Sequence, residues 1–136
     1  MRCLLISIVA SLLSTGAAMA TTPAPKKDSA VDHAHPRNVL DAVFLAARTS
    51  NPKLLRGLCD PKGQGDGDTK AICELTLKHP RWTDFKRNFE KGVRISRVAR
   101  LQGDKARLNF LFGTDGRKPE EMVLIQRDEL WYLHSF

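Results

Sequence analysis

The spacing of apolar residues changes at about Gly92, and this change limits the fold more than any other feature. Before Gly92, apolar residues recur three and four positions apart, as on one face of a helix. After it, apolar and polar residues alternate, as in half-buried strands, and Lys105–Phe112 is the clearest case. Helices followed by strands predict an α+β fold, because an α/β fold would alternate the two.

Three helices and one short helical segment are expected before Gly92. The first begins at a proline, which suits the first turn of a helix, and it has one continuous apolar face. A Gly-rich loop over Asp60–Asp68 separates the second segment from the third. The expected segments are Pro36–Thr49, Pro52–Cys59, a helix capped by Asp68 or Thr69, and about Arg81–Lys91.

Four antiparallel strands are expected after Gly92, joined in sequence order as a meander. Val98 is out of phase with Val93, so a bulge near Ser96-Arg97 is needed to restore the alternation. A tight polar turn at Asp128-Glu129 joins the last two strands. The expected strands are Val93–Leu101, Lys105–Phe112, Glu121–Arg127 and Leu130–Phe136.

The first twenty residues have the three parts of a secretory signal peptide. Arg2 is basic, Leu4–Leu13 is apolar, and Ala18-Met19-Ala20 has small residues at a cleavage site. The alternative, a membrane anchor, requires about 20 predominantly apolar residues, which this stretch lacks. We expect cleavage after Ala20, a periplasmic or secreted protein, and no transmembrane segment in the mature chain. Thr21–His35 is then a flexible leader, and residues 36–136 form a single domain.

Two cysteines remain after the signal peptide is removed, because Cys3 is lost with it. Cys59 and Cys73 are expected to form a disulfide, since exported proteins enter an oxidising compartment. The alternative is a metal or redox pair. The spacing matches no CxxC motif, and no second pair of ligands lies nearby.

Positive charge is concentrated near the change of period. The chain has 22 Lys and Arg against 15 Asp and Glu, and the net charge is +7. On the first two strands the basic residues should gather on one side of the sheet and attract phosphate, a lipid headgroup or an acidic partner. The alternative is a solvated face. Nucleic acid is not expected, and a homodimer through the sheet is a further expectation. The patch consists of Arg94, Arg97, Arg100, Lys105 and Arg107.

Few residues suggest catalysis. The chain has no GxSxG or HExxH motif, and the Gly-rich loop matches neither an EF-hand nor a P-loop. Asp84 lies among aromatic residues, and in a cavity its pKa would rise and make it a base. The alternative is a solvent-facing aspartate near the start of a helix. Tyr132 and His134 are expected on the same strand face as Phe136, where they line a pocket or a solvated edge. His33 and His35 have a spacing that can hold a metal, but no metal site or cofactor is expected.

The order of helices followed by a meander resembles, over about residues 36–136, the nuclear transport factor 2-like fold, also called cystatin-like or SnoaL-like. The resemblance rests on Lys105–Gly113, Met122–Ile125 and the closing strand Leu130–Phe136. The segment between Cys59 and Cys73 is also similar to small exported bacterial proteins of unknown function. The resemblance implies a curved sheet that wraps the N-terminal helices into a cone with a cavity. It implies no single function, because this superfamily includes enzymes, immunity proteins and ligand binders.

These observations predict an exported, non-catalytic binding or interaction module with a small-ligand pocket and a basic sheet region. One alternative is a small enzyme that transfers protons in the cavity, as isomerases and dehydratases do. Another is an envelope immunity or stress protein.

Overall fold

The computed structural model describes residues 30–136. The predicted signal peptide and most of the predicted leader lie outside these residues. The helices are α1 (Pro36–Thr49), a 3₁₀ helix (Pro52–Leu55), α2 (Gly67–Cys73) and α3 (Trp82–Phe89). The strands are β1 (Val93–Arg94), β2 (Arg100–Gln102), β3 (Lys105–Phe112), β4 (Lys118–Arg127) and β5 (Leu130–Ser135). The chain therefore has an α+β fold with three α-helices and an antiparallel sheet.

The sheet has five strands instead of the expected four, because the first predicted strand is interrupted. β1 and β2 both pair with β3, which in turn pairs with β4, and β4 pairs with β5. The amides of Ile95 and Ser96 both donate to the carbonyl oxygen of Asn109, so two residues oppose one at this point. Such a bulge bends the strand away from its partner, and regular pairing resumes only at Arg100.

The core lies between α1 and the inner face of the sheet. Val39, Leu40 and Val43 of α1 are fully buried, as the predicted apolar face requires. The sheet contributes alternate residues from β3, β4 and β5 to the same cluster. α3 adds Phe85 and Phe89, whose rings lie 5.0 Å apart between centroids. Residues from both halves of the sequence thus form one core, and the burial of their apolar side chains stabilises the fold.

The outer edge of β5 is covered by two segments of the chain. The amide of Leu133 donates to the carbonyl oxygen of Leu58 at 2.7 Å, and the amide of Asp60 donates to that of Leu133 at 3.3 Å. The amide of Trp131 donates to the carbonyl oxygen of His33 at 2.9 Å. His33, which the sequence assigns to the leader, therefore contacts the sheet. In the part of the chain that the structure describes, the uncovered edge of the sheet is formed by β1 and β2.

Candidate functional site

Asp84, the proposed base, is solvent-exposed on α3. Its carboxylate accepts a hydrogen bond from Arg87 at 2.7 Å, and its side chain is 65% exposed. It lies at the rim of a shallow cavity of about 240 Å³ between α2 and α3, whose apolar wall includes Phe85 and Phe112. Neither Tyr132 nor His134 lines this cavity, so the three catalytic candidates are not brought together there.

Tyr132 and His134 lie on β5, but the expectation that Phe136 shares their face is wrong. The pairing of β4 with β5 shifts by one residue at His134, because Val123 lies opposite Ser135 while Leu124 lies opposite Leu133. This bulge reverses the alternation at the end of the strand. The Phe136 ring therefore packs in the aromatic cluster, 5.9 Å from that of Phe89.

His134 on β5 and His33 beside that strand have different surroundings. Nδ1 of His33 donates to the carbonyl oxygen of Trp131 at 2.6 Å, and the His33 ring packs 4.8 Å from that of Tyr132. Nδ1 of His134 is buried and has no hydrogen-bond partner among residues 30–136. The structure shows no group of three or more His, Cys, Asp or Glu side chains in these residues that could hold a metal ion.

Cys59 and Cys73 form the predicted disulfide, with 6.2 Å between their Cα atoms. The loop between them begins α2 at a different residue from the one expected. Asp66 is the N-cap, and its carboxylate accepts from the amides of Thr69 at 2.7 Å and Phe136 at 3.2 Å. Burial opposes ionisation of Asp66, but these hydrogen bonds outweigh it and lower its pKa.

Three members of the predicted basic patch form ion pairs. Arg94 binds Asp41 of α1 on the inner side of the sheet, with hydrogen bonds of 3.0 and 3.1 Å. Arg100 and Arg107 both bind Glu121 on the outer face. The hydrogen bond from Arg107, with that from Arg100, lowers the pKa of Glu121 against the effect of its burial.

The predicted patch is therefore divided between the two faces of the sheet, and three of its five basic residues are paired with acidic side chains. Arg94 lies opposite Phe110 and points to the α1 side, whereas Arg100 lies opposite Arg107 on the other face. Arg97 and Lys105 have no acidic partner within residues 30–136. These two residues are the cations of the patch that remain available to a partner.

A groove of about 380 Å³ lies between the start of α1 and the segment that contains β2. We call it the α1–β2 groove. Its floor and walls are largely apolar, and it has a basic side chain on either side. No aspartate or glutamate lines it. Its principal lining residues are Pro36, Arg37, Arg97, Val98, Leu101 and Trp131.

The groove combines apolar surface with two guanidinium groups. Arg37 and Arg97 are both exposed, and neither has an acidic partner in the part of the chain that the structure describes. Trp131 is almost fully buried and belongs to the core, so this wall is held rigidly. Such a site can hold a ligand that has an apolar body and a negatively charged group.

Among the residues of this groove, sequence reasoning singled out Arg97, as part of the basic patch, and His35, as part of a possible metal-binding pair. The groove draws its residues from the end of the predicted leader, from α1, from the segment around β2 and from β5, which are distant from one another in sequence. No motif links these segments, and only the folded chain brings them together.

No helix within residues 30–136 is long and apolar enough to cross a membrane. Comparison of the chain with protein-family models, curated proteins and solved structures finds no match.

Proposed function

We propose that this protein is an exported, non-catalytic binding module whose α1–β2 groove takes a small amphipathic anion. The proposed ligand class is an alkyl chain that ends in a carboxylate or phosphate. The proposal rests on one observation, that Arg37 and Arg97 flank an apolar groove that no carboxylate lines. The volume of about 380 Å³ is in the range of small-molecule pockets, roughly 300–1,000 Å³.

The two ends of such a ligand have different requirements, and the groove supplies both. The alkyl chain would lie against Val98, Leu101 and Trp131, where it leaves water. The anionic group would accept paired hydrogen bonds from Arg37 or Arg97, because a guanidinium matches the geometry of a carboxylate or phosphate.

The enzyme alternative has less support. A general base must lie within hydrogen-bond reach of the proton that it takes from the substrate. The Asp84 carboxylate is instead exposed to solvent and paired with Arg87. Tyr132 packs on His33 away from the cavity that Asp84 lines. We therefore favour binding over proton transfer.

Export and fold family are part of the same proposal. The disulfide between Cys59 and Cys73 is compatible with a secreted protein, and it agrees with the signal peptide that the sequence predicts. The order of three helices followed by an antiparallel sheet supports the proposed nuclear transport factor 2-like fold.

Isothermal titration calorimetry with decanoate tests the proposed function, with decyltrimethylammonium as the cationic counterpart of the same chain length. We expect decanoate to bind and decyltrimethylammonium not to bind. Arg37→Gln and Arg97→Gln should each weaken decanoate binding about tenfold, because a charge-assisted hydrogen bond contributes about 1.5–3 kcal/mol.

Arg117→Gln is the matched control, since Arg117 is exposed, has no ion pair within residues 30–136, and lies outside the groove. It should bind decanoate as the wild-type protein does. Equal binding of both surfactants, or equal effects of all three substitutions, would contradict the proposed site.

A further inference from the structure

The uncovered edge of the sheet exposes an unusual amount of apolar surface. We call Val93–Gln102, which contains β1, β2 and the bulge between them, the edge segment. Among residues 30–136, seven large hydrophobic side chains are exposed, and four of them lie in this segment. Val98 is the most exposed, at 80%. The four residues are Val93, Ile95, Val98 and Leu101. Val98 and Leu101 line the groove, whereas Val93 and Ile95 lie outside it. Exposed apolar side chains concentrated in one short segment mark an interaction surface.

The backbone of this edge is poorly suited to accept another strand. β1 has two residues and β2 has three, and the stretch between them is irregular. Within it, the side-chain oxygen of Ser96 accepts from the amide of Asn109 at 2.9 Å. Strand addition needs a regular row of unpaired amides and carbonyls, and a bulged edge interrupts that row. The edge segment is therefore a surface of protruding side chains instead of a template for pairing.

The charges of the edge argue against self-association through it. Arg97 has no acidic partner in the described chain. Lys105 and Arg37, which lie nearby, also have no acidic partner there. A second copy of this chain that met the first at Arg97 would bring these cations close to one another, which costs free energy. A surface that combines basic and apolar groups is instead complementary to one that is anionic outside and apolar beneath.

We infer that the edge segment docks the protein on an anionic lipid bilayer. Protruding aliphatic side chains would enter the interfacial region, and Arg97 and Lys105 would contact lipid phosphates. An irregular edge with exposed side chains fits this partner better than an extended acidic peptide, which needs backbone pairing or a groove along its length. The inference goes beyond the proposed ligand groove, because Val93 and Ile95 lie outside the groove.

Vesicle sedimentation of the full chain tests this inference. We expect binding to vesicles of equal parts phosphatidylglycerol and phosphatidylcholine, and not to phosphatidylcholine alone. The double variant Val93→Ser/Ile95→Ser should weaken binding about tenfold, since two aliphatic contacts with the bilayer are lost. Leu77→Ser is the matched control, because Leu77 is 61% exposed but lies between α2 and α3.

Each outcome decides the inference. Equal binding to neutral vesicles, or wild-type binding by the double variant, overturns it. Binding to a polyglutamate peptide but not to anionic vesicles also overturns it, and indicates an acidic protein partner. The double variant should keep its affinity for decanoate, which separates the edge from the groove. If decanoate fails to bind while vesicles bind as described, the proposed function fails and the docking inference stands.

Discussion

Arg127 and Asp60 form a buried, two-point ion pair that joins β4 to the loop after Cys59. Nε of Arg127 donates to Oδ1 of Asp60 at 3.1 Å, and Nη2 donates to Oδ2 at 2.8 Å. The Asp60 side chain has no exposed surface, and that of Arg127 is 14% exposed. The amide of Lys62 also donates to Oδ1, at 2.9 Å. The pair thus fixes the start of the disulfide-bridged loop against the sheet.

Removing the carboxylate should destabilise the protein strongly. Asp60→Ala leaves the mostly buried guanidinium of Arg127 with only the exposed carboxylate of Asp104, 4.0 Å away. Loss of the partner in a buried ion pair costs about 3–5 kcal/mol. Urea unfolding followed by circular dichroism measures it. Asp84→Ala is the control, because the exposed pair with Arg87 should contribute less than about 1 kcal/mol. Equal losses in the two variants would contradict a structural role for the buried pair.

The same carboxylate should make stability depend on acidity. The hydrogen bond from Arg127, with that from the Lys62 amide, lowers the pKa of Asp60 below its ordinary value of 3.8 despite burial. The folded state then binds this proton less tightly than the unfolded state does, so Asp60 stabilises the fold above pH 3.8. That stabilisation is lost as the pH falls through the lowered pKa.

Thermal unfolding at a series of pH values below neutrality measures this effect. The melting temperature of the wild-type protein should fall below about pH 4. Asp60→Asn should start from a lower melting temperature and fall less steeply, since one of the responsible carboxylates is absent. Parallel curves for the two proteins would show that Asp60 does not contribute to the acid sensitivity.

Gly65 should not tolerate a side chain. It has a φ of +125°, and a Cβ atom there would lie 2.5 Å from the carbonyl oxygen of His134. Gly65→Ala should therefore cost about 1–3 kcal/mol and loosen the contact between the loop and β5. Gly67→Ala is the control, because a Cβ at Gly67 meets nothing within 4 Å. Urea unfolding gives the free energy of unfolding of both variants. An unchanged free energy in Gly65→Ala would refute the close approach between residue 65 and the His134 carbonyl oxygen.

Loss of the disulfide should also destabilise the domain. The bridge between Cys59 and Cys73 closes a loop with a sequence separation of 14. A loop of about this length stabilises a fold by about 3 kcal/mol in the chain-entropy model. The double variant Cys59→Ser/Cys73→Ser should unfold at correspondingly lower urea concentration. Wild-type protein treated with reductant should match it, and a wild-type urea midpoint in the double variant would contradict this role.

Local sequence patterns predicted the elements whose limits depend on neighbouring residues. α1 and β3 have the predicted bounds, because each has a strong apolar period and clear signals at its ends. The tight turn is also confirmed, since Asp128 and Glu129 both have positive φ, as the mirror-image hairpin turns require.

Features that depend on tertiary contacts were not predictable in this way. Asp66 caps α2 in place of Asp68 because its carboxylate also meets the amide of Phe136. The bulge at His134 turned Phe136, which is half-buried, toward the core, and alternation alone gave no sign of it. Ion pairs such as that between Arg94 and Asp41 join residues far apart in sequence, so the charge count overstated the basic patch.

Two-dimensional ¹H–¹⁵N NMR during a decanoate titration tests most directly whether the α1–β2 groove binds an amphipathic anion. The chain has two tryptophans, and only Trp131 lines the groove, while Trp82 lies on α3. We expect the indole N–H signal of Trp131 to shift in a saturable manner and that of Trp82 to stay in place. Arg97→Gln should raise the decanoate concentration needed for the shift. An unmoved Trp131 signal, or equal shifts of both signals, would contradict the claim.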